Sequence, residues 1–249
     1  MTARIGVITF PGTLDDVDAA RAVRRVGAEA VSLWHADHDL RGVDAVVVPG
    51  GFSYGDYLRC GAIAKFAPVM TEVIAAARRG MPILGICNGF QVLVKAGLLP
   101  GVTFDGANQR SVTLAHNELA RFECRWVYLQ PNPASPSLFT AGLTEPIYCP
   151  VAHGEGRIAV CDDETLASVQ SQNLNALTYI NADGSPGAYP ANPNGSAGAI
   201  AGLCNPAGNV LGLMPHPEDH VFPWQHPRRH RGEGGQIGLR LFENGVRHA

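Results

Sequence analysis

Short apolar runs alternate with amphipathic segments in the first hundred residues of the chain. Runs of four to seven apolar residues predict strands that are buried on both faces. They span residues 4–10, 30–34, 44–48 and 82–86. Apolar positions at helical spacing predict helices between and after these runs. These helices span residues 15–26, 63–79 and 88–95. Strands that alternate with helices indicate a parallel sheet covered by helices on both faces.

The pattern changes in the second half of the chain, where shorter apolar segments are separated by turns rich in glycine, proline and asparagine. We expect these segments to be antiparallel strands added to the same domain. They span residues 123–130, 147–151, 158–160 and 199–203. The predicted fold class is therefore α/β, a single doubly wound and mostly parallel sheet flanked by helices, with antiparallel strand additions. One domain is expected over residues 1–249.

Composition limits the classes of function that the chain can have. With 249 residues, of which 46% are hydrophobic, a large core is expected. The net charge of -3 gives no support for a nucleic-acid surface or a membrane surface. The six cysteines lack any Cys-x-x-Cys spacing, which favours reduced thiols. Because the first strand pattern begins at once and no apolar run is long enough to span a bilayer, we expect no signal peptide and a cytoplasmic enzyme.

One apolar run ends in a pattern typical of a nucleophile elbow. Residues 82–86 lead into Cys87 within the sequence Gly-x-Cys-x-Gly, and the residues that follow can continue as a helix. A sharp turn between a strand and a helix exposes a nucleophile, and flanking glycines permit the close backbone approach that the turn needs. The positive end of the helix dipole favours negative charge at that position. The alternative is a buried structural cysteine.

A histidine that can act as the base of this cysteine follows another apolar run. Residues 211–218 read LGLMPHPE, so His216 and Glu218 flank a proline. Imidazole can take the thiol proton and return it to a leaving amine, while a carboxylate orients the imidazole. A strand end would present both side chains on one side. The alternative for His216 is a surface histidine, but the two motifs together favour a triad of Cys87, His216 and Glu218.

The two motifs resemble those of the class I (triad-type) glutamine amidotransferases. The similarity rests on residues 85–91 (GICNGFQ) and 215–218 (PHPE), and it extends to residues 49–53 (PGGFS), which follow a buried run. The resemblance implies a flavodoxin-like fold and hydrolysis of glutamine by the cysteine of the elbow. It also implies that ligands bind beyond the carboxyl ends of the strands, where parallel sheets place their sites.

Further roles follow from this resemblance. In the family, a glycine-rich turn and the residue after the nucleophile supply the backbone N–H groups that stabilise an oxyanion. The corresponding donors here are Gly51 and Asn88, and the loss of one such donor typically costs about 100- to 1000-fold in rate. Gly50, Gln91 and His153 are expected to contribute to substrate binding, also by resemblance.

Other segments resemble one branch of the family, the glutaminase subunits of phosphoribosylformylglycinamidine synthases. These segments span residues 8–12, 51–64, 150–157 and 189–196. The resemblance implies that ammonia passes to a synthetase subunit that converts formylglycinamide ribonucleotide to formylglycinamidine ribonucleotide, with a small bridging subunit as a further partner. The resemblance also implies that the synthetase uses ATP and magnesium. The chain itself has no Gly-x-x-x-x-Gly-Lys-[Ser/Thr] segment, so ATP binding by this subunit finds no support. No cofactor is expected in this subunit.

The chain departs from the family's pattern in two places. Residues 13–16 read TLDD where Ser-Asn-Cys or a similar sequence is usual, and a His/Arg-rich segment at 224–232 precedes the last helix. Four histidines near the C-terminus suggest zinc, yet Pro217 would open a helix there and the Glu position of a His-Glu-x-x-His site is missing. We therefore expect no metal and a solvated His/Arg loop.

Two other functions remain open from the sequence. The first is a class I amidotransferase subunit that supplies ammonia to a different synthase. The second is a non-catalytic or peptidase-like relative that shares only the cysteine elbow. Such relatives lack the downstream His-Pro-Glu motif, so residues 216–218 count against the second alternative.

Overall fold

The described part of the chain, residues 2–101, 111–235 and 237–249 of a computed structural model, contains one large sheet and one small one. The strands are β1 (Arg4–Thr9), β2 (Glu29–Trp34), β3 (Ala45–Val48), β4 (Ile83–Ile86), β5 (Val112–His116), β6 (Glu123–Pro131), β7 (Ile147–His153), β8 (Glu155–Val160), β9 (Asn175–Ile180), β10 (Ile200–Cys204) and β11 (Val210–Leu213). In these residues the large sheet has nine strands in the order β2-β1-β3-β4-β11-β10-β9-β6-β7. Strands β5 and β8 pair separately.

The predicted fold class is confirmed, with a parallel part that precedes an antiparallel extension. Strands β2, β1, β3, β4 and β11 run parallel to one another. Strands β10, β9, β6 and β7 then continue the sheet with antiparallel pairing. The apolar residues of β3 and β4 are all buried, as expected for strands covered on both faces.

Helices cover both faces of the parallel part. They are α1 (Asp16–Arg25), α2 (Pro68–Arg78), α3 (Asn88–Lys95) and α5 (Leu239–Arg247), whereas α4 (Asp163–Ser171) packs against β8. On β4, Leu84 lines the same small cavity as Phe242 of α5. The next residue, Gly85, faces Leu93 of α3. Because successive side chains of a strand point to opposite faces, α5 and α3 lie on opposite sides of the sheet.

The predicted helix over residues 63–79 is wrong in its first turn. A 3₁₀ turn at Ala64–Phe66 comes first, Ala67 is extended with ψ 142°, and α2 begins at Pro68. Proline disfavours helical geometry in the preceding residue and suits the first helical position, where its missing N–H is not needed. The sequence interpretation also missed β5, β9 and α4.

The carboxyl ends of the parallel strands meet at one edge of the sheet. The segments after β1, β3, β4 and β11 all begin there, and they carry Asp15, Gly50, Cys87 and His216.

Within the described residues, none of the helices has the length and apolar character needed to cross a membrane.

Candidate active site

Cys87 occupies the strained turn that the sequence predicts between β4 and α3. Its backbone has φ 49° and ψ -106°, a conformation that residues other than glycine rarely adopt. The turn is held by a hydrogen bond of 2.8 Å from the Cys87 N–H to the carbonyl of Leu213 in β11. A Cβ on Gly89 would lie 1.8 Å from the carbonyl oxygen of Val48, so only glycine allows α3 to approach β3 so closely.

His216 and Glu218 form a buried hydrogen-bonded pair at the end of β11. Nδ1 of His216 lies 2.8 Å from Oε1 of Glu218, and both side chains are buried. Among the described residues, Nε2 of His216 has no hydrogen-bond partner. The pair is brought together by a 3₁₀ turn at Pro217–Asp219, whereas the sequence interpretation expected a strand end. The proximity of the two side chains was expected, but the backbone that produces it was not.

The electrostatics of the pair favour a proton on the imidazole. Burial acts to lower the pKa of His216, but the negative charges of Glu218 and of a Cys87 thiolate together raise that pKa well above its ordinary value. Burial raises the pKa of Glu218 to about 7, and the neighbouring His216 opposes this shift. A proton taken from Cys87 is therefore stabilised on His216 by both neighbours.

The roles of Gly51 and Asn88 as oxyanion donors stay predictions, and the structure describes how their backbone N–H groups are placed. Gly51 has φ 130°, and a Cβ there would lie 2.5 Å from the backbone nitrogen of Leu14. Within the described residues, the N–H groups of Gly51 and Asn88 have no hydrogen-bond acceptor. Asn88 is the first residue of α3, where no acceptor exists within the helix. The side-chain oxygen of Asn88 accepts a bond of 3.2 Å from the N–H of Ser53, which ties the turn after β3 to the elbow.

The residues expected to bind substrate lie near the elbow but in different settings. The Gln91 amide accepts a bond of 2.9 Å from Asn88 and donates to the backbone carbonyl of Glu155, so both of its polar groups already have protein partners. Nδ1 of His153 lies 3.1 Å from Oδ1 of Asn117. Burial lowers the pKa of His153 to about 4, which keeps the ring neutral. Their roles toward a substrate stay predictions.

An open cleft of about 630 Å³ adjoins the elbow. Two of its lining side chains form an ion pair, in which the Arg59 guanidinium lies 3.1 Å from the Glu155 carboxylate. Cys60 also lines the cleft, and burial raises the pKa of its thiol. The sequence interpretation gave Arg59 and Glu155 no role. The sequence feature that could have identified them is that each is a charged residue within a glycine-rich segment.

The carboxylate of Asp15 completes the surroundings of His216. Asp15, His216 and Glu218 form the one group in the described residues whose ligand atoms lie close enough, within 4.8 Å of one another, to hold a metal ion. In this arrangement Nδ1 of His216 donates to Glu218, so its lone pair is not available to a metal. The geometry is that of a histidine held by carboxylates.

The solvated His/Arg loop expected near the C-terminus is wrong for two of its histidines. His220 and His226 are buried, and their ring centroids lie 5.6 Å apart. His220 packs edge-on against Trp126 at 5.1 Å, and His226 lies 5.2 Å from the Tyr148 ring. These histidines therefore anchor the segment to β6 and β7. His230 and the neighbouring arginines are exposed, as expected.

Comparison with known proteins agrees with this geometry. A model of the CobB/CobQ-like glutamine amidotransferase domain matches residues 2–249. Phosphoribosylformylglycinamidine synthase subunit PurQ of Mycobacterium tuberculosis is 56% identical over 224 residues, which cover 89% of each chain. The PurQ subunit of Frankia casuarinae is 48% identical over 242 residues, or 96% of this chain and 91% of the relative.

A solved structure shows the same fold over the whole length. A chain in the structure of PurLQS from Thermotoga maritima is 34% identical, with a TM-score of 0.78, and the match covers 100% of this chain and 99% of that one. The chain belongs to the CobB/CobQ-like glutamine amidotransferase family and, within it, to the family of phosphoribosylformylglycinamidine synthase subunits PurQ.

Proposed function

We propose that this chain is the glutaminase subunit of a phosphoribosylformylglycinamidine synthase and acts in de novo purine biosynthesis. The observation that carries the proposal is the strained Cys87 elbow beside the His216–Glu218 pair, which is joined at 2.8 Å. Several PurQ relatives share more than half of the aligned residues with this chain, which supports the choice of synthase.

In the first half of the reaction, ammonia leaves glutamine. The Cys87 thiolate attacks the carbon of the side-chain amide, and the electron pair of the C=O bond moves to oxygen. The N–H groups of Gly51 and Asn88 stabilise that oxyanion. When the C–N bond breaks, His216 gives its proton to the departing ammonia, and a glutamyl thioester remains on Cys87.

In the second half, water releases glutamate. Neutral His216 takes a proton from the water as the oxygen attacks the thioester carbon, and Glu218 stabilises the imidazolium that forms. The C–S bond then breaks, which restores the Cys87 thiolate and the protonated His216. The net change is glutamine plus water to glutamate plus ammonia.

The cleft beside the elbow is proposed to hold the amino-acid end of glutamine. This end carries an ammonium and a carboxylate, and the cleft offers charges of both signs in Glu155 and Arg59. The two side chains are paired at 3.1 Å, and each can exchange this partner for one of the two charged groups of a bound zwitterion. The elbow is linked to this cleft through Gln91, which donates to the backbone carbonyl of Glu155.

A synthetase subunit is the proposed recipient of the ammonia. The Thermotoga maritima relative is found in a structure of PurLQS, which supports a PurL-type synthetase as the partner. A small bridging subunit is proposed as a further partner from the sequence resemblance. We propose that ATP and magnesium are used by the synthetase, that this subunit needs neither metal nor cofactor, and that the complex works in the cytoplasm. No nucleic acid or membrane takes part in this reaction.

Substitution of the nucleophile tests the proposal. In the complex with the synthetase, Cys87→Ala is expected to lower glutamine-dependent synthesis by about 10,000-fold or more, because no thioester can form. Synthesis from added ammonium should persist, since the synthetase is unchanged. An exposed cysteine provides the matched control, and Cys124→Ala should behave as the wild type. Persistent glutamine-dependent synthesis by Cys87→Ala would contradict the mechanism.

A further inference from the structure

A second carboxylate lies against the imidazole of His216. Oδ2 of Asp15 is 3.6 Å from Nδ1 of His216, while Oε1 of Glu218 is 2.8 Å from the same atom. Glu218 is fully buried, whereas the Asp15 side chain is 23% exposed. Asp15 therefore contributes a charge at the edge of the ring, while Glu218 accepts the hydrogen bond.

The position of Asp15 is fixed by the turn that contains the glycine pair. The N–H groups of Leu14 and Asp15 point at the carbonyl of Gly50, at 3.2 and 3.4 Å. A Cβ on Gly50 would lie 2.3 Å from Oδ2 of Asp15 and 2.8 Å from Cε1 of His216. Gly50 thus leaves the space in which the carboxylate faces the ring. The same peptide segment carries Gly51, so Asp15 is held to the turn that supplies an oxyanion donor.

Several titratable groups face His216 from the elements packed around it. They come from its own 3₁₀ turn, the start of α1, the elbow and β7: Glu218, Asp219, Asp15, Cys87 and His153. Of the carboxylates among the described residues, only those of Glu218 and Asp15 lie within 4 Å of the ring nitrogens. Burial raises the pKa of Asp15, and the positive charge of His216 opposes that shift.

We propose that Asp15 is a positioning residue for His216, a second carboxylate that stabilises the imidazolium formed when Cys87 loses its proton. The proposal rests on the proposed glutaminase function. A negative charge about 4 Å from a cation in a partly buried site favours the charged form of the cation. Removal of the Asp15 charge leaves the hydrogen bond to Glu218 in place, so the imidazolium becomes less stable while the triad is retained.

The test is the pH dependence of glutamine-dependent kcat in the complex with the synthetase. At alkaline pH, activity is lost when the His216 imidazolium loses its proton. In Asp15→Asn this loss is expected to begin at a pH lower by about half a unit or more. The KM for glutamine and ammonia-dependent synthesis should stay unchanged. Asp163→Asn is the control, because Asp163 is exposed in the first turn of α4.

Two further measurements keep the outcomes distinct. Asp15→Ser removes the charge with a smaller side chain and should give the same shift, and thermal unfolding confirms that both variants are folded. A purely structural role would lower kcat equally at every pH, and an alkaline limb at the wild-type position would overturn the proposal. If Cys87→Ala kept glutamine-dependent synthesis, the glutaminase function itself would fail, irrespective of Asp15.

Discussion

His153 shows how burial of one side chain couples the stability of the molecule to pH. Its ring is 3% exposed, and Nδ1 is bound to Asn117. Burial lowers the pKa of His153 from 6.5 to about 4 in the folded chain. At pH values between about 4 and 6.5, His153 is protonated in the unfolded chain and neutral in the folded chain. The unfolded state is therefore favoured as the pH falls through this window, and the native state regains stability as the pH rises.

We expect His153→Gln to remove this part of the acid sensitivity. Between pH 7 and pH 4.5, the free energy of unfolding should fall by about 2–3 kcal/mol less in the variant than in the wild type. Urea titrations at several pH values measure the difference. The positive charge of His216 also lowers the pKa of His153, so the difference between the two proteins includes this coupling as well as burial. His38→Gln, at an exposed position, should keep the wild-type slope, and an unchanged slope in His153→Gln would contradict the argument.

At the scale of residues, the sequence identifies a catalytic side chain when that side chain lies within a short contiguous motif. Cys87 lies in a glycine-flanked turn, and His216 and Glu218 lie two positions apart, so spacing alone indicates their pairing. Asp15 and Glu155 act through partners that are distant in sequence. Their acidic side chains are visible in the chain, but the approach of Asp15 to His216 depends on the packing of two separate loops. No local pattern encodes that distance.

At the scale of elements, the elbow depends on how closely α3 approaches β3. Gly89→Ala would place a methyl group 1.8 Å from the carbonyl oxygen of Val48 and 2.6 Å from its carbon. Since these are backbone atoms, the helix and the strand must move apart. We expect a loss of about 1–3 kcal/mol in the free energy of unfolding. Glutaminase activity should fall by about 100-fold or more, because Cys87 and Gly51 move relative to each other.

Denaturant unfolding and steady-state glutaminase assays test this expectation together. Gly234→Ala is the matched control, because a Cβ at Gly234 meets no atom within 4 Å. This control should change neither stability nor activity beyond about 0.5 kcal/mol. Full activity and stability in Gly89→Ala would show that α3 can shift without cost and that the spacing of the elbow is not critical.

The boundaries of elements were predictable where local signals agree. α3 spans the residues predicted for it, because the elbow defines its start. The prediction of a helix from residue 63 was wrong because it followed the helical spacing of apolar residues. Pro68 marks the true beginning of α2. Burial of His220 and His226 was missed because charged neighbours suggested a solvated segment. Their aromatic partners Trp126 and Tyr148 lie far away in the sequence.

At the scale of the whole molecule, the cleft is lined by segments that are distant in the sequence. They are the loop after β3, in the parallel part of the large sheet, the β5–β6 loop, and the β7–β8 turn, which follows the antiparallel part. β11 joins these parts by pairing with β4 on one side and β10 on the other. The sequence predicts both types of strand but not this order, because the pairing of β4 with β11 is a long-range contact. The cleft was therefore not predictable from the sequence.

Glu155→Gln tests whether this cleft binds the amino-acid end of glutamine. The substitution keeps the shape of the buried side chain but removes the charge proposed to face the substrate ammonium. A hydrogen bond to a charged group contributes about 1.5–3 kcal/mol, so the KM for glutamine should rise about 10-fold or more. kcat should change little, because Gln91 bonds to the backbone carbonyl of residue 155, which the substitution retains.

Glu164→Gln, on the first turn of α4, is the control in steady-state assays of the complex. A wild-type KM in Glu155→Gln would place the ammonium elsewhere, whereas a loss confined to kcat would indicate that Glu155 acts on the elbow.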